Sequence, residues 1–74
     1  MSPEKMVMMA NQIATFFATQ PGDDGASGVA DHINDFWEPR MRAQLLDYVE
    51  TGGAGLHKLV IEAVPEIRAP AEKA

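Results

Sequence analysis

The sequence predicts an all-α fold: a small single-domain helical bundle of about four helices, the last kinked or split. Three observations carry this. Apolar residues recur at helical spacings of three and four, Pro and Gly punctuate the chain where such runs end, and no stretch alternates with the period of a strand. The domain is expected to span residues 1–74, with a frayed tail from about residue 69, where APAEKA is small and polar.

Ser2-Pro3-Glu4 is a helix start, with Ser as N-cap, Pro at the first helical position and an acid in the first turn. Met6, Met9, Ile13, Phe16 and Phe17 then mark one face, with Asn11, Gln12 and Thr15 on the other, and the helix is expected to stop before Pro21-Gly22. Met8 falls off this face and hints at a second contact surface. Gln20 to Ser27, QPGDDGAS, is a loop. Asp23 and Asp24 lack the ligand number and alternate spacing of a calcium loop, so an ordinary acidic loop is the reading.

Ser27 is the expected cap of a second helix, whose face is Val29, His32, Ile33, Phe36 and Trp37. Pro39 ends it, because the residue before a proline is pushed out of the α region. The same Pro suits the first turn of a third helix, Pro39 to about Thr51, with Met41, Leu45, Tyr48 and Val49 inward and Gly52 as its left-handed C′ residue. A fourth helix from about Leu56 uses Leu59, Val60, Ala63, Val64 and Ile67, and Pro65 is expected to kink it or split off its last turn.

The totals exclude several functions. With 74 residues and no cysteine there is no disulfide staple, no thiolate metal site and no cysteine-ligated cluster. Six basic against eleven acidic residues give a net charge of −5, a poor match to a phosphate backbone or an anionic membrane, so neither nucleic acid nor membrane is an expected partner. No apolar run reaches the roughly 20 residues that span a bilayer. MSPEKMVMMANQ does not read as a secretory signal, and the cytoplasm is the expected location.

Catalytic chemistry finds little to work with. His32 and His57 belong to no metal-spaced cluster; His32 reads as a hydrogen-bonded packing histidine and His57 as exposed. The run Gly52 to Gly55 follows a helix and lacks the Lys-Ser/Thr of a phosphate loop. Met6, Met8 and Met9 read as core filling rather than a soft metal site. No catalytic, cofactor-binding or metal-binding residue is assigned.

The stretch FWEPRMR, Phe36 to Arg42, stands apart, holding the one Trp and two of the six basic residues at a proline corner. One reading is a helix–helix corner with both aromatics in the core and Arg40 and Arg42 solvated or paired to Asp31, Asp35 or Asp47. The other is a binding surface, since Trp and Arg are enriched at interface hot spots and a fixed corner presents them with little entropy to lose. The two combine if Phe36 faces inward while Trp37 and the arginines face out. Phe36, Trp37, Pro39, Arg40, Met41 and Arg42 are the candidate partner interface.

Three motifs carry a resemblance: MANQIATFF (Met9 to Phe17), GVADHINDFWEPRMR (Gly28 to Arg42) and GGAGLHKLVIEAV (Gly52 to Val64). Together they resemble the delta subunit of soluble, molybdenum-containing, NAD-dependent formate dehydrogenases over about residues 5 to 68. The resemblance implies a non-catalytic, cofactor-free accessory subunit, whose partner is the catalytic subunit that holds the molybdenum cofactor and iron–sulfur clusters. It leaves two roles open: a structural part of the mature complex, or an assembly chaperone for cofactor insertion that departs afterwards. A self-associating helical module is the remaining alternative. A chain this short is also expected to gain stability from its partner; isolated, it is expected either to fold with a modest melting temperature or to self-associate.

Overall fold

The computed structural model describes residues 2–22 and 24–69; the expected tail beyond residue 69 and Asp23 of the acidic loop lie outside them. Four helices follow in order, α1 (Pro3–Ala18), α2 (Gly25–Phe36), α3 (Pro39–Glu50) and α4 (Lys58–Ala63), and a 3-10 turn, Val64–Glu66, closes the last. There is no strand among the described residues. The short fourth helix with its Pro65-bearing turn is the split segment the sequence predicts.

Local chemistry sets the boundaries. Ser2 caps α1, its hydroxyl accepting from the Lys5 N–H at 3.2 Å. After α3 the Gly53 N–H reaches the Tyr48 carbonyl and the Gly52 N–H the Val49 carbonyl, each at 3.0 Å. This paired closure needs a left-handed residue, and Gly52 has φ +124°. The α2 start differs from expectation. The Gly28 N–H bonds to the Asp24 carbonyl at 2.9 Å, so the helix opens at Gly25. The Ser27 hydroxyl instead donates to the Glu66 carboxylate, 3.0 Å from each oxygen, and so ties α2 to the 3-10 turn.

Helix α2 is the centre of the packing, meeting α1 on one side and α4 with its 3-10 turn on the other. The buried core is Met6, Ala10, Ala14, Val29, Ala30, Ile33, Trp37, Leu45, Val60, Ala63 and Ile67. Four of these eleven are alanines, which let the helices approach closely and leave little apolar volume to bury. The buried residues of α1 are Met6, Ala10 and Ala14; of the face expected from hydrophobicity, Met6 is buried and Ile13 and Phe17 pack partly against the core, while Met9 and Phe16 are exposed. Helix α3 is peripheral, with Leu45 its one fully buried residue. The outcome is elongated, 40 × 22 × 19 Å.

Gly28 permits the closest approach of α1 and α2. A β-carbon there would lie 2.6 Å from Cδ1 and Cε1 of the Phe17 ring, which is itself held edge-on against Phe16 at 5.1 Å between centroids. Alanine would gain about 1 kcal/mol of helix propensity, but overpacking costs typically 1–3 kcal/mol. Because two ring atoms are hit at once, the clash is expected to win. Gly28→Ala should lower the thermal midpoint by several degrees, for a net loss of about 1 kcal/mol. A raised midpoint in thermal dichroism would mean that the Phe17 ring swings aside freely.

Two asparagines clamp the ends of the last segment. Asn11 on α1 donates through Nδ2 to the Gly55 carbonyl at 2.9 Å and accepts the His57 N–H at 2.8 Å. Asn34 on α2 donates to the Glu66 carbonyl at 3.0 Å and accepts the Arg68 N–H at 2.8 Å. Each side-chain amide thus mimics a strand partner for backbone with no helix to satisfy it. Helix α4, only six residues long, is held from both ends.

Candidate interface

The corner between α2 and α3 reverses the combined reading in which Phe36 faces inward and Trp37 outward. Trp37 is 6% exposed and belongs to the core, while Phe36 is 74% exposed. The cause is the chain's exit from the helix. Trp37 is the C-cap, with extended backbone (φ −90°, ψ 133°), and Glu38, directly before Pro39, is extended as well; the chain leaves the helix there with the Trp37 side chain in the core. Pro39 then starts α3, with Glu38 at the cap position but making no side-chain cap bond.

The two arginines part company. Arg42 reaches inward, its Nη1 donating to the Trp37 carbonyl at 2.8 Å and its Nε to the Arg68 carbonyl at 2.9 Å. It pairs with carbonyls rather than with Asp31, Asp35 or Asp47, and it joins α3 to the corner and to the segment after the 3-10 turn. Arg40 is exposed and, among the described residues, has no hydrogen-bond or salt-bridge partner. With Pro39, Ala43, Leu46, Asp47, Glu50 and Ala69 it lines a shallow groove along α3. Met41 is half-buried against the core. Of the six candidate residues, Phe36, Pro39 and Arg40 thus face solvent, and Trp37, Met41 and Arg42 hold the corner.

A second surface adjoins the first. Ile13, Phe16, Phe17 and His32 with Gln12 line an almost wholly apolar groove between α1 and α2. His32 stacks on Phe36, ring centroids 4.7 Å apart, which makes the groove continuous with the corner. His32 is stacked and half-buried, and among the described residues it makes no hydrogen bond. Phe16 is 58% and Met8 56% exposed. Hydrophobic spacing puts Phe16 on the expected inward face of α1 and leaves Phe36 either in the core or on the partner interface, and both are exposed; the signal that separates them is the competing Ala and Gly set, whose small side chains mark the close helix contacts.

The remaining sequence candidates resolve simply. His57 is half-buried and caps α4, its Nδ1 accepting the Leu59 N–H at 3.0 Å. The glycine run serves turns, with Gly53 and Gly55 at φ +63° and +83° beside Gly52. Among the described residues, no group of three or more His, Cys, Asp or Glu could hold a metal ion. No described helix is long and apolar enough to cross a membrane.

A comparison with curated proteins finds no match. The family described as NADH-dependent formate dehydrogenase delta subunit FdsD matches residues 5–64, which include the α1–α2 groove, the corner and the Asn11 clamp. With most of its length matched, and with the corner and glycine closure standing as folded units within the match, this chain belongs to the delta-subunit family of NADH-dependent formate dehydrogenases.

Proposed function

We propose that this chain is a non-catalytic accessory subunit that docks on the molybdenum-containing catalytic subunit of its dehydrogenase and remains there as a structural part of the complex. Family membership supports a formate dehydrogenase as the complex. The observation that carries docking is the corner itself, where Phe36 is 74% exposed and Arg40 exposed on backbone that Trp37 and Arg42 hold in place. A large aromatic and an unpaired guanidinium on a fixed corner lose little entropy on binding and fit the hot-spot pattern. Phe36, Pro39 and Arg40 would make the contacts; Trp37, Met41 and Arg42 would support them. The catalytic subunit purified with this chain should retain it through size exclusion. A catalytic subunit that matures only in its presence but elutes without it would assign the chain to assembly instead.

A further inference from the structure

The groove between α1 and α2 has features that specify an occupant. The two helices run antiparallel, since Phe17 meets Gly28 while Ile13 and Phe16 flank His32. Along α1, Gln12, Ile13 and Phe16 line the groove, and the exposed Met9, one turn earlier, continues their stripe at i, i+3, i+4 and i+7. That stripe is about 10 Å long at 1.5 Å per residue, two helical turns. A seat of this length between two helices suits a third helix that presents apolar anchors at the same spacings.

Charge defines the rest of the occupant. On α2, Asp31 and Asp35 immediately precede His32 and Phe36, forming an exposed acidic row beside the apolar one. Among the described residues neither makes an ion pair. The α1 rim carries neutral Gln12, with Lys5 one turn beyond Met9. A second copy of this chain answers this poorly, because each copy bears a net charge of −5 and Lys5 is the one cation along the stripe. On the reading that the chain docks on a larger dehydrogenase subunit, we infer that this face receives an amphipathic helix of that subunit, apolar where it lies on Phe16 and Phe36 and carrying Lys or Arg where it passes Asp31 and Asp35.

The test uses the purified dehydrogenase with its delta subunit bound. Phe16→Ser with Phe36→Ser removes the anchors from side chains more than half exposed, so the isolated chain should melt within a few degrees of the parent. Its affinity for the rest of the complex should fall by at least about 30-fold. Asp31→Lys with Asp35→Lys leaves the core untouched. It should slow association and weaken binding roughly tenfold at low salt, a difference that shrinks as salt rises. A photo-crosslinking phenylalanine analogue at position 36 should attach to a helical peptide of the larger subunit bearing a Lys or Arg within one turn. Wild-type chain that fails to bind the complex would overturn the docking reading itself. Wild-type binding with both variants equal to it would overturn the helix seat, and Phe36 as a docking contact, while leaving docking of the chain itself standing. A crosslink to a second copy, or to an acidic or non-helical segment, would also overturn it.

Discussion

Trp37→Ala should cost this fold about 3–5 kcal/mol, the range for emptying a large aromatic from a core. Trp37 is the largest side chain in a core where four of eleven members are alanine, so its truncation empties the largest single volume in that core. A chain of 74 residues is expected to have about 4–11 kcal/mol of stability in total. The substitution therefore removes about a quarter of it or more, and lowers the midpoint by roughly 20–30 °C. Dichroism of the variant at 37 °C should show substantial loss of helix. Phe36→Ala, one residue earlier, should change folding by less than about 0.5 kcal/mol, as surface substitutions do. Equal losses at the two positions would contradict the inward Trp37 and outward Phe36.

The second large effect separates the arginines. Arg42→Ala removes two hydrogen bonds from a charged donor, to the Trp37 and Arg68 carbonyls. Such bonds contribute roughly 1.5–3 kcal/mol each when sheltered. The Trp37 bond is partly buried, whereas the Arg68 bond is exposed and water competes for it, so together about 2–3 kcal/mol should be lost. Arg42→Lys should recover at most one of the two, because an ammonium lacks the fork that spans both carbonyls. Arg40→Ala should melt like the parent yet weaken docking by on the order of 2 kcal/mol, as hot-spot truncations do. Arg42→Ala with unchanged melting would show that the corner is held by Trp37 alone. Arg40→Ala with unchanged docking would remove the corner's exposed cation from the interface.

What was legible in the sequence follows from the range of the interactions involved. Ser2-Pro3-Glu4, Pro39 and Gly52 act within one turn, and the structure places helix ends at all three. Pro65 likewise splits the last helix as expected. The inward faces were harder to read, because hydrophobic spacing favours the largest side chains while close helix contact selects the smallest. Met9 and Phe16 were thereby placed ahead of Ala10 and Ala14. Ser27 has the local signature of a cap, but its hydroxyl is taken by Glu66, 39 residues away. The Asn11 and Asn34 clamps act across 32 to 46 residues and leave no periodic trace. At the candidate site, FWEPRMR stands out as a unit, but which side of the corner each residue takes depends on the two extended residues, Trp37 and Glu38, between the helices.

Docking as a permanent subunit is the central claim, and the copy number of this chain in the mature enzyme tests it most directly. Native mass spectrometry of intact formate dehydrogenase, purified with all its subunits and active toward formate, reads that number. The account predicts one copy for each molybdenum-containing catalytic subunit, retained at moderate salt. Fully active enzyme that lacks the chain altogether would contradict it.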